Sequence, residues 1–177
     1  MKKINDILIE LRPSMIDKGG VGVFAIMSIK KGQKVAEGIH GEDYKDIIPW
    51  MDYKKFPRNI KEKINAFCIG TLNGFIPPNN VDFAALTSEW YFNHSCNGNV
   101  GFNENGDFIT LRNIKKGEEL SYDYGLAESN PKFRMKCTCK SNKCRKIITG
   151  NDWKNIAFRQ KWLPYMLPKL RHYDGEL

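Results

Sequence analysis

The chain has 177 residues, 41% hydrophobic and 12% aromatic, a size and composition typical of one domain with a core of its own. Its net charge of +8 is C-terminal, because residues 1–131 hold 16 Lys/Arg and 17 Asp/Glu whereas residues 132–177 hold 12 and 3. No apolar run resembles a signal peptide or a membrane span, so we expect no membrane partner. Five cysteines without such a signal indicate a reducing intracellular compartment, cytoplasmic or nuclear.

Short strands dominate the predicted elements. Residues 21–38 are expected to form two strands around a turn at Lys30 to Gly32. The phrase Ile29-Lys-Lys-Gly returns at Ile114-Lys-Lys-Gly, which indicates two similar strand-turn-strand corners rather than a domain repeat. Further strands are predicted at residues 67–72, 100–102 and 108–111, and an Asn105-Gly106 turn joins the last two as a hairpin. The fold class is therefore mostly β with short helices.

Two segments are expected to depart from this pattern. Residues 47–64 are rich in Lys, Asp and aromatic residues, and Pro49 and Pro57 interrupt them, which predicts a variable insert of irregular structure with short helical turns. Near the end, Asn151 or Asp152 is predicted to cap a helix that Pro164 stops. The aromatic side of that helix is expected to pack on the sheets. The helix would carry Trp153, Ile156, Ala157 and Phe158.

The strongest chemical signal is a cluster of three cysteines, Cys137, Cys139 and Cys144, in a polar loop. Three thiolates this close can converge on one tetrahedral zinc ion, but a closed structural site needs a fourth ligand from elsewhere. Cys68 lies in an apolar pattern that suits a small buried side chain, whereas Cys96 lies in a polar loop that suits a ligand. The alternative is that the thiols are redox-active or incidental.

Zinc also bears on the charge of the C-terminal part. A basic region is typical of a contact with nucleic acid or another polyanion. Four thiolates around one Zn²⁺ would subtract two charges from it, and five basic residues would then partly compensate for them: Lys136, Lys140, Lys143, Arg145 and Lys146. Both interpretations are open on the sequence.

Two further motifs are weak when taken singly. Gly20 and Gly22 flank Val21 without the third glycine of a dinucleotide fingerprint or the ending of a phosphate loop, so neither nucleotide site is indicated. Such glycines do permit close approach of a ligand to bare backbone. Tyr122 and Tyr124 are two residues apart and would lie on one side of an extended segment, where tyrosines more often belong to the core.

Taken in order, these motifs resemble the SET-domain family of protein lysine methyltransferases over residues 19–144. Residues 20–25 are similar to the first cofactor motif, Asn93-His-Ser-Cys96 to the most diagnostic one, residues 119–125 to the catalytic motif and residues 137–144 to the post-SET zinc segment. The resemblance implies small curved sheets with a C-terminal pseudoknot, in which a segment threads under a loop. It divides the chain into a SET domain at 1–130 with a variable insert at about 40–66, a post-SET segment at 131–150 and a C-terminal helical extension at 151–177.

The resemblance also implies residue roles. The donor would be S-adenosylmethionine and the acceptor a lysine amine of a protein or peptide, histone-like proteins included. Tyr124 would be the catalytic phenol, and Tyr122 would restrict the product to mono- or dimethyl-lysine. Gly20, Val21, Gly22 and Val23 would cradle the methionine part of the cofactor, while Asn93 and His94 would hydrogen-bond its adenine and amino acid ends. One structural zinc ion would have the ligands Cys96, Cys137, Cys139 and Cys144.

The sequence departs from the family pattern in three places. Trp90, Tyr91 and Phe92 replace the usual Arg-Phe-Ile, residues 96–99 replace Cys-x-Pro-Asn, and no cysteine-rich segment precedes Gly19, so a single zinc ion is implied. Two alternatives remain: a catalytically inactive SET-fold module that binds a lysine-containing peptide, and a basic zinc-stapled module that binds nucleic acid.

Overall fold

The computed structural model describes residues 7–40, 43, 45–78 and 81–173. The outermost parts of the predicted SET domain and C-terminal extension, residues 1–6 and 174–177, lie outside the described residues, as do 41, 42, 44, 79 and 80. Within the described ranges, no helix has the length and apolar character needed to cross a membrane.

The described part of the chain is built from short strands and four short α-helices. The strands are β1 (Ile9–Pro13), β2 (Val21–Ala25), β3 (Lys34–Ala36), β4 (Ile48–Pro49), β5 (Ile69–Gly70), β6 (Gly74–Ile76), β7 (Asn93–His94), β8 (Val100–Phe102), β9 (Phe108–Thr110), β10 (Glu119–Tyr122), β11 (Arg134–Lys136) and β12 (Ile147–Thr149). The helices are α1 (Trp50–Lys55), α2 (Arg58–Phe67), α3 (Ile156–Trp162) and α4 (Pro168–Arg171).

These strands form four small sheets. The largest has the order β1-β2-β10-β7, two three-stranded sheets have the orders β3-β9-β8 and β4-β6-β5, and β11 pairs with β12. The predicted hairpin is confirmed, because β8 and β9 pair antiparallel around Asn105-Gly106. The mostly β architecture with short helices is therefore confirmed.

One apolar core joins the sheets. Val23, Val100, Phe102, Leu120 and Trp153 are all fully buried in it. Burial of such side chains is the main favourable contribution to folding.

The two similar corners noted in the sequence pair with each other. Ile29 and Ile114 exchange backbone hydrogen bonds of 3.0 and 2.9 Å in an antiparallel bridge, and both side chains are buried. The repeated phrase thus marks two matching edges of the core.

Strand β10 passes through a loop of the chain. The carbonyl of Tyr122 accepts a hydrogen bond from the N–H of Ser95 (2.9 Å), and the carbonyl of Ser121 accepts one from the N–H of Asn99 (2.8 Å). Successive residues of a strand direct their backbone groups to opposite edges, so loop 95–99 holds both edges of β10. At Gly98 a Cβ would lie 2.7 Å from the Cα of Tyr122, so the loop requires glycine there. This is the threading implied by the family resemblance.

The predicted insert contains the expected short helices, α1 and α2, but they are more regular than the sequence indicated and cover residues 50–55 and 58–67. Pro49 and Pro57 occupy the N-cap positions of α1 and α2, since proline is well tolerated at helix starts. Helix α2 continues to Phe67, which leaves only β5 of the strand predicted over 67–72. Ile64 of α2 is fully buried in a separate small apolar cluster.

The predicted cap of the C-terminal helix is also wrong. Helix α3 begins at Ile156, and the side chain of Asn155 accepts the N–H of Phe158 (3.0 Å) as its cap. Asp152 lies in a preceding 3-10 turn, where its carboxylate binds Thr149 (2.7 Å) and Arg145 (3.0 Å). Trp153 packs in the core as expected, but Ile156 is 71% exposed, so the predicted stripe is divided between core and surface.

Candidate active site and metal centre

The two predicted tyrosines lie side by side at the end of the threaded strand. Tyr122 is the last residue of β10, and Tyr124 begins a 3-10 turn that Asp123 caps by accepting the N–H of Gly125 (3.0 Å). Their ring centroids are 4.9 Å apart. The shared side expected from their spacing is therefore observed, although the strand ends between them.

Tyr124 is anchored through its hydroxyl, which donates a hydrogen bond to the carbonyl of Phe92 (3.2 Å). Burial raises the pKa of this phenol, and the nearby carboxylates of Asp17 and Glu128 raise it further. The phenol is therefore neutral at physiological pH. Asp17 belongs to the loop before the glycine motif, and Glu128 follows the 3-10 turn that begins at Tyr124, so carboxyls from two segments act on this phenol.

Tyr122 differs from Tyr124 in the state of its hydroxyl. Its ring packs in the core against Phe102 and Phe108, with centroid distances of 5.7 and 5.4 Å. Burial again raises the pKa of the phenol. Among the described residues its hydroxyl has no hydrogen-bond partner, and Tyr122 lines an adjoining cavity. This hydroxyl is therefore available to a group in that cavity.

The cavity beside the tyrosines has a volume of about 70 Å³ and a largely aromatic lining. Its wall includes Phe67 of α2, Trp90 and Phe92, together with Tyr122 and Tyr124. A narrow aromatic channel of this kind suits the hydrocarbon stem of an unbranched side chain.

Gly22 of the glycine motif packs closely against the side chains of Glu119 and Asn93. A Cβ at Gly22 would lie 2.3 Å from Oε1 of Glu119 and 3.2 Å from Nδ2 of Asn93. That amide nitrogen donates to the carbonyl of Val21 (2.9 Å), to Oγ of Ser14 (3.0 Å) and to Glu119 (3.2 Å). Gly22 is thus required for a polar network that ties β2 to β10.

The first two residues of β2 have no pairing with β10 beside this network. Strand β10 pairs with β2 only at Val23 and Phe24, so Val21 and Gly22 extend beyond that pairing. The side chain of Val21 is 42% exposed, whereas Val23 is fully buried in the core. Of the four predicted cofactor residues in this motif, Val23 therefore has a side chain that a ligand cannot reach.

His94 contacts both the turn at residues 123–124 and the thiol of Cys96. Its Nδ1 accepts the backbone N–H of Tyr124 (3.1 Å), and its Nε2 lies 3.4 Å from Sγ of Cys96. Burial lowers the pKa of the imidazole to about 4, so the ring is neutral at pH 7 and Nε2 is the donor. Both ring nitrogens are consequently engaged within the protein.

The structure brings four cysteine sulfurs together: those of Cys96, Cys137, Cys139 and Cys144 lie within 4.8 Å of one another. The sulfurs of Cys96 and Cys137 are 3.8 Å apart. Tetrahedral zinc with Zn–S bonds of about 2.3 Å requires sulfurs about 3.8 Å apart, so the arrangement fits this metal.

Cys68, the other candidate for a fourth ligand, lies elsewhere. It lines the aromatic cavity, and burial raises the pKa of its thiol to about 12. The sequence predicted a small buried side chain at this position, and Cys68 is half-buried.

Sequence reasoning treated Arg145 only as a compensating charge, but this residue joins three parts of the molecule. Its guanidinium binds both oxygens of Asp123 at 2.5 and 2.7 Å, and Asp152 at 3.0 Å. Its backbone N–H points to Sγ of Cys96 (3.4 Å). Arg145 thus joins the cysteine cluster to the turn at residues 123–124 and to the C-terminal extension. Its position directly after Cys144 was the only signal in the sequence.

Comparison with known proteins gives a consistent family. The SET domain family matches residues 20–125, more than half of the chain. Histone-lysine N-methyltransferase ash1 of Drosophila melanogaster is 29% identical over 145 residues, 77% of this chain and 6% of that protein. The probable histone-lysine N-methyltransferase set-23 of Caenorhabditis elegans is 39% identical over 66 residues, 33% of this chain and 27% of that protein.

Two more similarities extend the comparison. Histone-lysine N-methyltransferase ASHH2 of Arabidopsis thaliana is 28% identical over 144 residues, 76% of this chain and 8% of that protein. A chain of the humanized mutant Chaetomium thermophilum Polycomb Repressive Complex 2 bound to the inhibitor GSK343 has a TM-score of 0.49 and 22% identity, over 69% of this chain and 16% of that one. This chain therefore spans 6 to 27% of the length of these three curated relatives.

Replacing Arg145 tests the connection between these parts. Arg145→Gln leaves the carboxylate of Asp123, only 2% exposed, without its counter-ion. Loss of one partner of a buried pair costs about 3 to 5 kcal/mol, and because Arg145 itself is 29% exposed we expect about 2 to 3 kcal/mol. The free energy of unfolding in denaturant, with zinc held constant, measures this. The control Arg112→Gln breaks an exposed pair with Glu118 and should cost less than about 1 kcal/mol. Equal losses of unfolding free energy in the two variants would contradict the connecting role of Arg145.

Proposed function

This chain belongs to the SET domain family, and we propose that it transfers the methyl group of S-adenosylmethionine to a lysine amine of a protein substrate. The observation that carries the proposal is that Tyr124, whose hydroxyl donates to the carbonyl of Phe92, lines a narrow aromatic cavity. The curated relatives are named histone-lysine N-methyltransferases, so we propose a histone or a histone-like protein as the substrate.

The chain's contribution to the reaction begins with the substrate amine. A free lysine with a pKa near 10.4 is protonated at pH 7, and removing the proton costs roughly 4 to 5 kcal/mol. The aromatic side chains beside Tyr124 reduce that cost, because desolvation disfavours the charged amine. The hydroxyl of Tyr124 and the carbonyl of Phe92, already joined by a hydrogen bond, would orient the amine. This role is one of positioning, since the phenol is neutral.

Bound S-adenosylmethionine supplies an electrophilic methyl group on a sulfonium. We propose that the backbone of Gly20 to Val23, at the open edge of β2, holds its methionine part. Asp17 offers a negative charge beside this loop for a positively charged ligand. Because the ring of His94 is engaged at both nitrogens, its contact with the cofactor would be made by its backbone. The amide nitrogen of Asn93 would act mainly by fixing the loop.

The cysteine cluster would hold one structural zinc ion. Cys96 comes from the loop around β10, and the other three ligands come from the segment after the catalytic turn. The hydroxyl of Thr138 in that segment lies 3.4 Å from the carbonyl of Ile16, next to the proposed cofactor loop. Zinc would therefore hold this segment against the cofactor side of the site. Thiolate ligands of this kind also favour a reducing intracellular compartment, the nucleus included.

The function is tested by incubating the zinc-loaded protein with purified core histones and S-adenosylmethionine labelled in its methyl group. Mass spectrometry should find labelled methyl groups on lysine. Calorimetry should detect binding of the unlabelled cofactor. Absence of both would leave the inactive peptide-binding module as the better account of this fold.

The metal assignment predicts about one zinc ion per chain in the purified protein. Cys96→Ser should lose it nearly as completely as Cys139→Ser, because three ligands do not close a tetrahedral structural site. Plasma mass spectrometry of the purified variants measures the metal. The control Cys68→Ser should retain it, since Cys68 lies outside the cluster. Full zinc in the Cys96 variant would remove that residue from the site.

The catalytic assignment predicts that Tyr124→Phe lowers kcat/KM about a hundredfold or more, the scale expected for a positioned hydroxyl that handles the amine. Stability should fall by only about 1 kcal/mol, because one hydrogen bond is lost and the ring remains. Methyl transfer and denaturant unfolding give the two readouts. Tyr53→Phe, which removes a hydroxyl outside this cavity, is the matched control and should keep its rate. Near-native turnover by the Tyr124 variant would exclude the role.

The unpartnered hydroxyl of Tyr122 predicts control of the product. We propose that it holds a water beside the substrate nitrogen and thereby limits the native enzyme mainly to mono- or dimethyl-lysine. Displacing an ordered water by an apolar methyl group is unfavourable. Tyr122→Phe should shift the products toward higher methylation without the rate loss of the Tyr124 variant, and about 1.4 kcal/mol suffices for a tenfold shift. Mass spectrometry at matched first-step turnover measures this, and an unchanged product distribution would refute it.

A further inference from the structure

Glu128 is a buried acid that the proposed reaction does not use. It lies four residues after Tyr124 and is only 7% exposed. Its Oε2 accepts the backbone N–H of Gly70 (2.9 Å), and its Oε1 accepts that of Asn130 (2.8 Å). A Cβ at Gly70 would lie 2.2 Å from Oε1 of Glu128, so the neighbouring strand is shaped to admit the carboxyl group. The carboxyl is thus held in a defined position.

This carboxyl lines the same aromatic cavity as the two tyrosines. The described residues of the lining include a second carboxyl, that of Glu89, and no Lys or Arg. In a chain with a net charge of +8, this lining is locally acidic. Its aromatic faces, among them Trp90, also favour a cation. The chemistry of the wall therefore matches a positively charged guest with an apolar stem.

Glu128 also lacks a cation of its own, since the ion pairs among the described residues do not include it. Burying a carboxylate without a counter-ion is costly, and each oxygen receives only one backbone hydrogen bond. The other groups that face it in the cavity are Tyr122, Tyr124 and Cys68, all neutral at pH 7, and Glu89. Burial accordingly raises the pKa of Glu128 to about 7. A cation in the cavity would stabilise the ionised form.

We propose that the carboxyl group of Glu128 receives the ammonium group of the substrate's lysine side chain, and that this contact makes the cavity selective for a cationic side chain. This inference rests on the proposed function, because it assigns the cavity to the acceptor lysine. Glu128 would act as a specificity-determining residue that contacts the substrate on entry, before the amine loses its proton.

The probes that test this inference are n-butylammonium and 1-butanol, which share a four-carbon stem and differ in the charge of the end group. Binding to the zinc-loaded full chain is followed by NMR at the Gly70 amide, which donates to Glu128, and at the indole N–H of Trp90. At about pH 8 the ammonium should bind about tenfold or more tightly than the alcohol, the lower end of what a close charge pair contributes.

The pH dependence separates a charge effect from a structural one. An amine with a pKa near 10.4 stays protonated between about pH 6 and pH 8, so a change in preference over that range reports the protein. Because the carboxyl has a pKa of about 7, it is mostly protonated at the lower pH, and the preference should fall about five- to tenfold there. This measurement uses the wild-type chain and does not depend on the folding of a variant.

Glu128→Gln should reduce the preference at about pH 8 to the value that the wild type shows at about pH 6, and should remove its dependence on pH. Its matched control is Glu62→Gln, on the exposed side of α2, which should keep the preference and its pH dependence. A preference at about pH 8 that persists undiminished in Glu128→Gln, or that is independent of pH in the wild type, would overturn the inference.

The two proposals fail in different ways. If the protein binds S-adenosylmethionine and methylates histones but shows no preference for the ammonium, only the role of Glu128 is refuted. If cofactor binding and methyl transfer are both absent, the proposed function fails, whatever the cavity binds.

Discussion

The passage of strand β10 between the ends of loop 95–99 is the constraint on which the site depends. Ser95 and Asn99 bond to opposite edges of that strand, and the loop approaches so closely that Gly98 cannot carry a side chain. The strand ends at Tyr122, and the loop carries Cys96, so one arrangement fixes the position of a phenol and of a thiol of the cysteine cluster. Shifting the strand by one residue would exchange which backbone groups face the loop, and both would be lost.

Hydrogen bonds and an ion pair then attach the segment that carries Arg145 to the turn after β10 and to loop 95–99. His94 and Arg145 each contact the turn at residues 123–124 and the sulfur of Cys96. Within the described part of the basic C-terminal region, Arg145 pairs with Asp123 and Asp152, while Arg159 donates to the carbonyl of Leu170 (3.2 Å). Part of the positive charge of this region therefore serves to hold the fold.

The sequence predicted what depends on neighbours along the chain. The Asn105-Gly106 hairpin and the grouping of Cys137, Cys139 and Cys144 follow from local spacing. The cap of α3 did not, because Asp152 binds Thr149 and Arg145 in place of the helix N-terminus. Contacts between distant segments were likewise invisible: the carboxyl of Glu128 meets Gly70, 58 residues away. Propensity describes local conformation, whereas such contacts depend on the tertiary fold.

The charge of the cavity bears on how a basic chain meets a basic substrate such as the histone we propose. A net charge of +8 would repel lysine-rich segments at long range, but at physiological ionic strength exposed charges are screened beyond about 8 Å. Groups in the cavity are screened much less, because the side chains that carry them are buried. We therefore propose that the local carboxyl of Glu128, rather than the total charge, selects the ammonium group that enters. The carboxyls of Glu128 and Asp17 both raise the pKa of Tyr124, so each is near enough to the proposed reacting centre to favour the positive charge of a lysine or of a sulfonium.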